Sequence, residues 1–143
     1  MDSEIKQTVK KLIKKHRTDD PFKIAACLGI NVELWPFAKE IHGLYQPVGN
    51  VKFIYIRASL PYSQKKLICT KGLAHAYLHK GIIPILKSQC SQDKIQTEAN
   101  LFAIEMLMPD KKLKLYKNYT LQQVAKIEKI PYKLLKLKLQ DAV

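Results

Sequence analysis

LICTKGLAHAYLHKG, residues 67–81, decides how the rest of this 143-residue chain is read. On an α-helix residues i and i+4 lie on one face, so His75 and His79 can reach a common point. The turn before them holds Lys71 and Gly72, and a glycine inside a helix costs about 1 kcal/mol against alanine. Nothing about helix formation favours Lys-Gly at this position.

Working outward, Ile5, Val9, Leu12 and Ile13 recur at helical spacing, which predicts an amphipathic helix over 3–16. Asp19 or Asp20 before Pro21 is the start signal of a second helix, FKIAACLG, which Gly29 ends. Asn31 to Trp35 alternates like a strand. GLYQPVGNVKFIYIRA, residues 43–58, reads as two strands around Gly49-Asn50. Ser63 is placed to cap the helix of the opening stretch. Gly81 to Ser91 is less regular, and Asp93 then opens DKIQTEANLFAIEMLM, a helix that stops at Pro109. Thr120 caps a further helix, TLQQVAKIEKI, and Pro131 opens the last, PYKLLKLKLQDA. Trp35, Tyr45, Phe53 and Tyr55 read as core and groove wall, and Leu101, Phe102, Met106 and Leu107 as the buried face of their helix. The expected architecture is one α+β domain with a small three-stranded sheet and five or six helices.

Composition narrows the class. Apolar residues are 47% and charged residues 26% of the chain, and no run approaches the ~20 apolar residues that span a membrane. The N-terminus lacks the apolar core of a secretory signal. Three widely spaced cysteines, Cys27, Cys69 and Cys90, suit a reducing cytoplasm, with Cys27 and Cys69 expected as buried thiols. The net charge of +13 is concentrated at the ends: residues 1–17 hold six Lys/Arg against two acids, and residues 111–138 nine Lys against one. Such ends can attract nucleic acid or an acidic protein, or can be solvated helix faces. Arginine, the usual bidentate reader, is limited to Arg17 and Arg57.

A His-Glu-x-x-His helix binds zinc with two histidines one turn apart and uses the glutamate as general base. In the frame Lys71, Gly72, Leu73, Ala74, His75 only the last of the three chemical residues is present. An ammonium has no lone pair for a metal, and Gly72 has no carboxylate to take a proton. A retained zinc would have to use His75, His79 and a third donor, with Glu98, Cys69 and His42 as candidates; a helical histidine pair alone is a weak zinc signal. The bland alternative packs His79 at the helix end and hydrogen-bonds His75 in the vacated site. Lys71 could pair there with Glu98 or Glu105. Cys69 and His75 are poorly spaced for a thiol–imidazole dyad.

Several segments together resemble the ImmA/IrrE-type metallopeptidases of phages, integrative elements and bacterial stress regulation. They are DPFKIAACLGI, GLY…FIYI, QKKLICTKGLAHAYLHKG, EANLFAIEMLMP and TLQQVAKIEKIPYKLLKLKL, and they cover roughly residues 19 to 139. The resemblance implies a minimal zincin-like core (19–109) with a basic C-terminal helical pair (110–143), which the basic N-terminal helix (1–18) read from its periodicity precedes in one domain. It puts the first zinc histidine on Lys71, the general base on Gly72 and the second histidine on His75. The third ligand falls on Gln96, four before Asn100, or on Glu98 if the placement shifts.

On that resemblance the expected role is regulation of a phage or mobile-element repressor of the helix-turn-helix class, by protein–protein binding without catalysis. No cofactor is then needed. Two other readings compete: a zinc-dependent protease that cleaves such a repressor, and a DNA-binding regulator that uses the basic 120–139 helices.

Overall fold

The computed structural model describes residues 2–79, 84–88 and 93–141. Helix α1 (Asp2–His16) buries Ile5, Val9 and Leu12, one face of three turns, against the other helices. Helix α2 (Pro21–Cys27) starts where the Asp20 carboxylate accepts the Phe22 amide at 2.9 Å, with Pro21 in the first turn, and Gly29 closes it at φ 72°. Strands β1 (Ile30–Trp35), β2 (Gly43–Val48) and β3 (Val51–Arg57) follow, β2 and β3 forming a hairpin in which Gly49 takes φ 60°.

The sheet has the order β1-β3-β2-β4, with β1 parallel to β3 and the other pairings antiparallel. It therefore holds four strands where the sequence pattern predicts three. The additional strand, β4 (Ile85–Leu86), lies inside the stretch read as irregular. Two residues carry too little periodicity to announce a strand; pairing with Gly43 and Leu44 makes them one.

Beneath the sheet lies α3 (Tyr62–Leu78), every residue of which from Leu67 to Ala76 is buried. Ser63 does not cap it: the cap position is Pro61 and no side chain contributes a capping bond. Helix α4 (Lys94–Leu107) packs along α3, its start capped by Asp93, which accepts the Ile95 amide at 3.2 Å. Leu101, Phe102, Met106 and Leu107 are all buried, as their spacing predicts. A short α5 (Asp110–Leu113) and a 3₁₀ turn (Lys114–Tyr116) lead to α6 (Leu121–Glu128) and α7 (Tyr132–Asp141). Thr120 and Gln123 form a reciprocal capping box at the start of α6. Seven α-helices are thus present among the described residues, one more than the periodicity shows, because four-residue α5 is too short to have a period.

Tyr45 is core, whereas Trp35 and Tyr55 line a groove of about 260 Å³ on the opposite face of the sheet with Phe37, Leu44 and Gln46. The cysteine expectation is half met: Cys69 is buried, but Cys27, the last residue of a two-turn helix, is exposed. Cys90 lies outside the described residues. None of the described helices is long and apolar enough to cross a membrane.

An ion network, buried at Lys138 and Glu105 and open to solvent at Asp110 and Lys6, ties the C-terminal helices to the core. The Lys138 ammonium donates to Glu105 Oε1 and approaches Asp110 Oδ1, both at 2.8 Å, and Asp110 Oδ2 meets Lys6 at 2.7 Å. The hydrogen bonds from Lys138, then Lys6, hold the Asp110 carboxyl down to about 2. A depressed carboxyl stabilises the fold above its unfolded value near 3.8, and that contribution is lost as pH falls towards 2. Asp110→Asn is therefore expected to flatten the stability profile between pH 4 and 2 in acid-denaturation scans. Lys138→Met, which leaves Glu105 buried without its partner, is expected to cost about 3 kcal/mol in urea unfolding at pH 7.

Candidate functional site

The fully buried centre of α3 brings three of the singled-out residues under the β2–β3 hairpin. Lys71 has 0% exposure, and its ammonium donates to the backbone carbonyl of Lys87, just beyond β4. The expected glutamate partners are engaged elsewhere: Glu98 with His79, and Glu105 with Lys138. His42, half-buried in the loop before β2, accepts the Ser88 amide on Nδ1 at 3.1 Å. Burial, then the charges of Arg57, Lys71 and Lys87, push its pKa down. That keeps the accepting lone pair free of a proton.

Gly72 is explained by its neighbour across the interface. A Cβ built there would lie 2.7 Å from Ile54 Cδ1, 2.8 Å from Cγ1 and 3.0 Å from Cγ2. The Ile54 side chain, pointing inward from β3, occupies the volume that any larger residue at 72 would need. A carboxylate cannot be accommodated here without moving Ile54. The glycine that helix propensity leaves unexplained is a close-packing contact between α3 and the sheet.

His75 and His79 do share a face, as their spacing predicts, and are joined to Glu98 in a chain. His75 Nδ1 lies 2.8 Å from His79 Nδ1, and His79 Nε2 lies 3.0 Å from Glu98 Oε1. His79 is the C-cap of α3, and its φ of −130° turns it towards α4. A carboxylate only accepts, so His79 Nε2 carries the proton of that contact. The His75–His79 contact needs one donor and one acceptor, and with His75 donating on Nδ1 its own lone pair lies on Nε2. That Nε2 is buried and has no hydrogen-bond partner. Burial first, then His79 and Lys71, lowers the His75 pKa to about 4, so its ring is neutral at pH 7.

These residues do not fit zinc. Two ligands of a tetrahedral zinc, each at about 2.0–2.1 Å, stand well over 3 Å apart; the two Nδ1 atoms at 2.8 Å face each other as a hydrogen-bonded pair. The second nitrogen of His79 is spent on Glu98, and the Lys71 ammonium beside them opposes a dication. Among the described residues no three His, Cys, Asp or Glu side chains are grouped to hold a metal. Gln96 sits half-buried in the first turns of α4, and Asn100, one turn on, is buried with an unpartnered Oδ1. Burial raises the Cys69 thiol well above its ordinary value, so it is no nucleophile.

Two participants were not singled out in the sequence, Ile54 and Lys87. Ile54 was legible in part, since VKFIYI alternation places it inward. Lys87 acts through its carbonyl, which no sequence pattern marks.

A family model described as the IrrE N-terminal-like domain matches residues 25–139. The chain is 37% identical over 139 residues to the uncharacterized immunity region protein 2 of Bacillus phage phi105, covering 94% of this chain and 88% of that one. It is 30% identical over 114 residues to the metallopeptidase ImmA of Bacillus subtilis strain 168, covering 76% of this chain and 66% of that protein.

Overpacking a tight core costs about 1–3 kcal/mol, against about 1 kcal/mol gained by replacing a helical glycine with alanine. Gly72→Ala is therefore expected to lower stability by about 1 kcal/mol in urea unfolding. With Ile54→Ala the double variant should be more stable than the two separate losses predict, because the contact is shared. A Gly72→Ala protein more stable than the parent would refute the packing argument.

Proposed function

The chain belongs to the IrrE N-terminal-like (ImmA/IrrE) family, and from that premise we propose that it regulates a phage or mobile-element repressor by binding it rather than by cutting it. The observation that carries this reading is the pair at 71 and 72. A buried ammonium stands at the position that the family resemblance assigns to a zinc ligand, and Ile54 fills the space beside Gly72, at the position it assigns to the general base. General acid–base catalysis contributes about 10²–10⁴ in rate, so a chain without that base is a poor protease even if some metal bound. The names of the relatives, an immunity region protein and ImmA, support the phage-related regulatory context. Among helix-turn-helix repressors, the one encoded beside this chain's gene is the first partner to test.

Isothermal titration of the purified chain into that repressor is expected to show saturable binding, with the repressor intact on a denaturing gel after prolonged incubation. Repressor fragments that a chelator suppresses would overturn the non-catalytic part; absence of binding would overturn the partner. Elemental analysis of chain purified without chelator is expected to find far less than one zinc per molecule.

The DNA-binding reading rests on the basic ends, and the ion network weakens it. Lys138, Lys112 and Lys6 are held by Glu105 and Asp110, by Glu128, and by Asp110 respectively. Exposed lysines on α6 and α7 remain, so the two readings separate by salt. Phosphate contacts make log affinity fall linearly with log salt, with a slope of about −0.9 per phosphate on duplex DNA.

A further inference from the structure

Residues 84–88, PILKS, run along the outer edge of β2 in the manner of a bound peptide. Tyr45 donates its amide to the Pro84 carbonyl at 3.3 Å, Ile85 and Leu86 pair antiparallel with Leu44 and Gly43, and Ser88 donates its amide to His42. Leu86 is wholly buried beside Gly43, where a Cβ would clash at 2.6 Å with Ile68 Cγ2 and the Tyr55 carbonyl oxygen but would only touch Leu86 Cβ, at 3.6 Å. Ile85, by contrast, is about half exposed. The Lys71 ammonium then holds the Lys87 carbonyl. Main-chain pairing along an edge, one side chain in a socket and a cation on a carbonyl together make a peptide-recognition site.

We propose that this edge is a binding site for an extended segment of a partner protein, occupied in the isolated chain by its own residues 84–88. The segment it accepts has the chemistry of PILKS: an apolar residue for the Leu86 socket, followed by a carbonyl for Lys71. A partner strand takes the edge by displacing the internal one, so the internal strand sets the affinity. This rests on the binding role proposed above and specifies its docking mode. Lys71 is then a positioning residue: its charge keeps the internal strand seated. Each hold removed from the internal strand, while the edge itself stays intact, shifts the competition towards a peptide added in trans.

The probe is a fluorescein-labelled synthetic peptide containing PILKS, titrated by anisotropy into the full chain and into Leu86→Ala and Lys71→Met. Leu86→Ala unseats the internal strand and leaves the edge and the ammonium in place, so it is expected to bind the peptide at least tenfold more tightly than the parent. Lys71→Met also removes the clamp from the added peptide, so it should gain less than Leu86→Ala. Because Leu86 lies in the core, hydrogen exchange on the parent chain provides a second reading. Saturating peptide should protect the Tyr45 amide no better than the internal strand does, while exchange across 84–88 rises severalfold. Unchanged peptide affinity in Leu86→Ala, or exchange across 84–88 that ignores the peptide, overturns the proposal. No repressor enters either assay, so its failure leaves the titration with repressor to judge the broader role separately.

Discussion

An ammonium group with no exposed surface, on the helix that the sheet, α2 and α4 pack against, is the constraint from which the site follows. A charge removed from water is costly unless it is hydrogen-bonded, and Lys71 meets that demand with a carbonyl from residue 87. In the isolated chain the segment that supplies the carbonyl is held there by pairing with β2. His75 cannot protonate easily beside that charge, and His42 is discouraged from doing so. Burial is the first cause of both downward shifts, and the Lys71 charge adds to it while its hydrogen bond helps seat the strand.

The histidine–glutamate chain shows that residue types able to bind a metal need not be arranged to do so. His75, His79 and Glu98 do come together, and all three belong to residue types that bind zinc. Yet they contact one another in series, each satisfying the next, where a metal site would need their lone pairs to converge. Fold membership places these side chains, but their protons and distances determine what they can do.

Much of the fold was legible because its signals are local. Asp20 with Pro21, Thr120 with Gln123, and the apolar faces of α1 and α4 each carry a mechanism within a few residues. What escaped reading is non-local. β4 exists through its pairing with residues some forty positions earlier. Cys27 is exposed because α2 is too short to bury both sides. At the site, the histidine pair and Glu98 could be named from spacing, but not that they hydrogen-bond in a chain. Gly72 could be recognised as costly to the helix, yet its reason lies in Ile54, on a different element of the chain.

The contact between Gly72 and Ile54 also bears on which single substitutions this chain can accept. Placing a glutamate at 72 by itself meets a filled space, so that substitution is penalised by packing whatever chemistry it would add. Shrinking residue 54 by itself opens a cavity and is penalised as well. Only the paired change avoids both losses, and selection acting on single substitutions rarely finds such pairs. A tight methyl contact of this kind works as a ratchet on single substitutions at the two positions, through packing alone.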